Sequence, residues 1–75
     1  MFEERIVLED GVLFELLFRS ETHYRLACLK GRRLLVEYTN RGRTLLGRAA
    51  AYEFKSVEKL RYDFERDAED ALRQG

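Results

Sequence analysis

Apolar residues recur along this chain at two spacings. Up to about residue 54 they alternate with polar ones, the period of a half-buried strand. Beyond residue 56 they return every third or fourth position, the period of an amphipathic helix. Residues 5–9 read as a first strand. Asp10-Gly11 follows, the dipeptide that a tight type I′ turn prefers because both central residues need positive φ. Residues 12–19 form a second strand, with Val12, Phe14, Leu16 and Phe18 on one face and Leu13 and Leu17 on the other. Being apolar on both sides, it belongs inside a sheet.

Ser20-Glu21-Thr22 is a polar turn, and residues 23–30 carry Tyr24, Leu26 and Cys28 on one face of a third strand. Gly31 marks the next turn. In residues 33–39, Leu34, Val36 and Tyr38 alternate against Leu35, Glu37 and Thr39. Residues 40–43 read as a loop, since Asn40 and Gly42 tolerate left-handed backbone. A fifth strand is expected over 48–54. Ser56 is a good N-cap, and Val57, Leu60, Phe64, Ala68, Ala71 and Leu72 make one stripe of a helix over 57–73. Pairs at i,i+4 spacing, Arg61 with Glu65, Arg66 with Asp70 and Glu69 with Arg73, support its outer face. The fold expected is α+β: one domain, an antiparallel meander of four to five strands closed by a C-terminal helix.

A chain of 75 residues makes one domain that buries only roughly 60% of its unfolded surface. Such domains lean on disulfides, metals or self-association. The lone cysteine, Cys28, forbids an internal disulfide, and with one histidine, His23, a metal site of several His or Cys ligands is ruled out. Self-association remains. One helix covers one face of a sheet, so aliphatic residues on the other face lack a partner within the chain. Leu13, Leu17, Ala27, Leu29 and Leu35 share that face, or the two faces exchange roles. Leu13, Leu17, Leu29 and Leu35 are accordingly the candidate interface of a homodimer or small homo-oligomer.

Charge is balanced overall, with 14 Lys and Arg against 14 Asp and Glu, which removes long-range attraction for a polyanion. It is unbalanced locally. Residues 30–48 hold Lys30, Arg32, Arg33, Arg41, Arg43 and Arg48 against Glu37 alone, whereas residues 53–70 are acidic. These arginines can grip phosphates, with Tyr38 or Tyr52 to stack a base. The competing use of the basic segment is to balance acidic surface, within one molecule or between neighbours. His23 has no nucleophile at a telling spacing, Cys28 sits in a buried-strand pattern, and no glycine-rich phosphate loop is present. These features point away from an enzyme, a cofactor and a small-molecule substrate. A free thiol and the lack of an export signal point to the cytoplasm, and no apolar run approaches a membrane span.

Tyr24-Arg25-Leu26, Leu35-Val36-Glu37-Tyr38, Asn40-Arg41-Gly42-Arg43 and Tyr52-Glu53-Phe54-Lys55-Ser56, followed by a helix, together resemble the WGR domains of poly(ADP-ribose) polymerases and free-standing bacterial proteins. The likeness spans residues 24–73 and lacks the Trp-Gly-Arg signature: Tyr38 stands at the tryptophan, and Arg-Gly comes at Arg41-Gly42. In that family the signature aromatic and arginine contact DNA ends and neighbouring domains. The resemblance implies that role for Tyr38, Arg41 and Arg43. The function expected is a non-catalytic module binding DNA or RNA through Arg32, Arg33, Tyr38, Arg41, Arg43 and Arg48. The alternative is a protein-interaction or self-association module using the open sheet face.

Overall fold

Hairpin connections between consecutive strands fix the architecture. The computed structural model describes residues 1–74, and these form six strands followed by one helix. The strands are β1 (Phe2–Val7), β2 (Val12–Ser20), β3 (His23–Lys30), β4 (Arg33–Thr39), β5 (Gly42–Leu45) and β6 (Arg48–Ala50); the helix is α1 (Val57–Gln74). The sheet order follows the chain, and every neighbouring pair is antiparallel. The expected α+β meander with a C-terminal helix is the fold observed.

Asp10 and Gly11 both take positive φ, at 61° and 75°, as the β1–β2 turn requires. Ser56 caps α1, its Oγ accepting from the Lys59 amide at 3.1 Å. Leu60, Phe64, Ala68 and Ala71 turn inward and are almost wholly buried. They meet Val12, Leu16, Leu26, Cys28, Val36 and Tyr38 from the sheet. Phe64 sets its ring edge to face with Phe14 and Tyr38, at 5.5 and 5.9 Å between centroids. Toward the other end of the strands, Phe18 stacks with Phe2, Tyr24 and Phe54.

Four expectations are corrected. The first strand is Phe2–Val7 rather than residues 5–9, because Glu9–Gly11 already belongs to the turn. Residues 40–43 are not all loop: Asn40 and Arg41 make a tight turn, and Gly42 opens strand β5 opposite Thr39. Gly42 sits at φ +138°, and a Cβ there would stand 2.8 Å from the Ala50 carbonyl oxygen, so only glycine lets β6 lie this close. The fifth strand expected over 48–54 leaves the ladder after Ala50. Residues 51–54 keep the alternation, with Tyr52 and Phe54 half-buried and Ala51 and Glu53 exposed. The period-two pattern there records an extended segment with one side packed on the core, not a paired strand. Finally, Leu35 is not on the open face. The β3–β4 register slips between Cys28 opposite Val36 and Leu29 opposite Leu34. This bulge makes Leu35 the unpaired residue, and it joins Val36 in the core at 2% exposure.

Candidate functional site

Two surfaces bear on function: the seam between helix and sheet, and the sheet face that the helix leaves open. At the seam, β4 and β5 bring Tyr38 and Arg43 side by side, and Asp67 comes down on them from α1. The Tyr38 hydroxyl donates to Asp67. Arg43 Nη1 donates to the same hydroxyl at 2.9 Å and to Asp67 Oδ2 at 3.1 Å. One turn earlier, Asp63 accepts from the Tyr52 hydroxyl at 2.8 Å and from Lys59 Nζ at 3.1 Å. The two tyrosine rings meet edge to face at 4.8 Å, and the Arg43 guanidinium lies within 5.9 Å of both.

The electrostatics are those of a lock. Burial, with the Asp67 hydrogen bond added, pushes the Tyr38 phenol well above its ordinary value. Burial and the Asp63 bond do the same for Tyr52. The Tyr38 bond and the carboxylates overcome desolvation to raise Arg43 further. Burial disfavours the Asp63 charge, but the bonds from Tyr52 and Lys59 outweigh it and hold that carboxyl below the usual range. Tyr38, Tyr52, Arg43 and Asp63 therefore each keep one protonation state near neutrality. Among the described residues, only Arg43 Nε is a buried side-chain polar atom without a partner.

The candidate phosphate-binding residues do not converge. Tyr38 is fully buried, so its ring has no face to offer a base; its neighbours Phe64 and Tyr52 already occupy it. Arg43 is engaged with Asp67 across the seam. The contact roles that the family resemblance implies for these two residues are therefore not available to them. Arg32 and Arg33 are exposed at the β3–β4 turn, whereas Arg41 is exposed at the β4–β5 turn. The seven residues of β4 separate those turns, about 20 Å of extended chain. Arg48 is exposed on β6, beyond β5.

The open face is organised in rows across the strands. Residues directly opposite one another share a face, which places Val7, Leu13, Leu29 and Leu34 in one continuous aliphatic row over β1 to β4. Val7 is 76% exposed and Leu34 39%, with Leu8 beside them at 44%. Leu13 and Leu29 are half-buried. The next row is Arg5, Glu15, Ala27 and Glu37. Arg25 bridges it, 2.6 Å from Glu37 and 3.7 Å from Glu15. Glu3, Leu17, Arg25 and Thr39 make the third row. Leu13, Leu17 and Leu29 thus lie where the open face was expected to hold them.

Asp63 and Asp67 were not singled out from the sequence. Their signal was the spacing, since 60, 63, 64, 67, 68 and 71 all fall on one helical face. Nor were Val7 and Leu34, which join the row only through the strand register. His23 is exposed and Cys28 fully buried, with burial raising the thiol pKa. Among the described residues no group of three His, Cys, Asp or Glu is placed to hold a metal ion, and no helix is long and apolar enough to cross a membrane. Comparison of the chain with protein-family models, curated proteins and solved structures gave no match.

Proposed function

We propose that the domain is a non-catalytic association module whose open sheet face docks a second copy of the chain. The aliphatic row Val7, Leu13, Leu29 and Leu34 carries this reading. It is unbroken across four strands, and among the described residues no element packs over it. Apolar surface of this kind gains about 25 cal/mol per Å² when a partner removes it from water. In sedimentation velocity the wild type is expected to shift from monomer toward dimer as concentration rises. Leu13→Lys sets a charge in the middle of the row and should weaken association about a hundredfold, the effect of roughly 3 kcal/mol. Leu13 is only half-buried, so the variant keeps the fold. A wild type that stays monomeric at millimolar concentration overturns the reading.

A second reading rests on the β3–β4 turn. Lys30, Arg32 and Arg33 are exposed there, and among the described residues none has an ion-pair partner. These unpaired cations favour contact with DNA or RNA phosphates. Binding of a labelled duplex, followed by fluorescence anisotropy, should then fall steeply with salt and be lost in Arg32→Ala/Arg33→Ala. No binding at low salt ends this reading.

A further inference from the structure

The two turns at the aliphatic end of the sheet have opposite charge. Glu9 and Asp10 are exposed on the β1–β2 turn, and Arg32 and Arg33 are exposed at the β3–β4 turn. The turns adjoin, the Gly31 amide donating to the Gly11 carbonyl at 3.0 Å. Both lie just past the row formed by Val7, Leu13, Leu29 and Leu34. Neither pair of charges has an ion-pair partner among the described residues of its own chain.

Two sheets that pack face to face lie about 10 Å apart with strands roughly aligned. A pair of identical copies packed this way is related by a two-fold axis, and that axis has two simple directions. An axis across the strands turns one copy end for end. With the sheets fully overlapped, it sets the aliphatic row on the partner's row of Glu3, Leu17, Arg25 and Thr39. Val7 then meets Glu3 and Leu29 meets Arg25, so half of the row faces charge. An axis along the strands, running between β2 and β3, keeps each row at its own level and reverses the strand order. Val7 then lies over the second copy's Leu34, and Leu13 over its Leu29, so the whole row meets itself. In the next row Arg5 comes over Glu37 of the other copy and Glu15 over its Ala27. At the end of the sheet, the β1–β2 turn of each copy comes over the β3–β4 turn of the other.

We infer that the chain forms a face-to-face two-fold dimer in which Glu9 and Asp10 of each copy meet Arg32 and Arg33 of the other. This rests on the open-face reading and adds the arrangement. The arrangement gives the basic turn a partner that balances it, consistent with the zero net charge of the chain. It also sets the strength. Four strands about 4.8 Å apart and some 20 Å long offer on the order of 400 Å² of sheet per copy, half of the about 800 Å² usual for a stable interface. The dimer is therefore weak and reversible, and the turn charges make it salt-sensitive.

Two variants test the arrangement. Glu9→Lys/Asp10→Asn makes both turns basic; asparagine keeps the left-handed backbone at position 10 accessible. Arg32→Glu/Arg33→Glu makes both turns acidic. Each alone should dimerise at least tenfold more weakly than the wild type, since like charges then meet at both turn-to-turn contacts. Mixed in equal amounts they should form a heterodimer, because every basic turn again faces an acidic one. Sedimentation with one variant fluorescently labelled reads this directly, and circular dichroism confirms that both are folded. A mixture that associates no more tightly than either variant alone overturns the arrangement. If Leu13→Lys still disrupts the wild-type dimer in that case, the open-face reading stands without it. A wild type that is monomeric throughout overturns both.

Discussion

Phe64→Ala is expected to remove about 3–5 kcal/mol of stability, the usual cost of deleting a fully buried phenylalanine. The ring is wholly buried at the centre of the helix–sheet seam, with edge contacts to Phe14 and Tyr38. At about 0.05–0.15 kcal/mol per residue, a domain of this length has only some 4–11 kcal/mol in total. The variant should therefore melt roughly 15 °C or more below the wild type and show a sharply reduced urea midpoint. Among the described residues of one copy there is no second hydrophobic core to compensate. A loss below 1 kcal/mol would mean that α1 does not close the core through this residue.

Asp67→Ala is expected to cost about 2–4 kcal/mol, more than the loss of one ordinary hydrogen bond. It strands two groups at once: the buried Tyr38 hydroxyl and the Arg43 guanidinium lose their common acceptor. An uncompensated charge at a partly desolvated seam costs more than a missing contact. The double variant Asp67→Ala/Arg43→Met should therefore recover at least 1 kcal/mol relative to Asp67→Ala alone, because methionine fills the space without charge. Urea unfolding of the wild type, both single variants and the double variant makes the cycle. Strictly additive losses would show that Asp67 and Arg43 are not coupled. On the open sheet face, by contrast, the same kind of ion pair contributes little: Arg25 with Glu37 is half in water and screened.

Much of the fold was legible because the relevant signals are local. Asp10-Gly11 announced a turn through the φ values it favours. Ser56 announced a helix start, and the stripe from Val57 to Leu72 its buried face. Leu13, Leu17 and Leu29 were assigned to the open face by parity alone, since successive side chains of a strand point opposite ways. Parity failed at Leu35, where a bulge inserted one residue and turned that side chain into the core. It misled again over residues 51–54, because an extended segment lying across a hydrophobic surface alternates just as a paired strand does.

The candidate site was less legible, for a related reason. Arg32, Arg33, Arg41, Arg43 and Arg48 are close in sequence, yet a meander sends successive turns to opposite ends of the sheet and so disperses them. Tyr38 and Arg43 looked like a recognition pair while Asp67, distant in sequence, went unplaced. Once α1 lies on the sheet, the same residues become a structural lock.

Periodicity, turn chemistry and the capping serine determined that this chain makes an antiparallel meander closed by one helix, because each acts over a few residues. Register, the bulge at Leu35 and the packing of α1 were decided only in three dimensions. They depend on which backbone groups of distant segments face one another. From those long-range pairings come both features on which the proposed function rests: a Tyr38–Arg43–Asp67 cluster tied together at the helix–sheet seam, and a row of Val7, Leu13, Leu29 and Leu34 left on the open face.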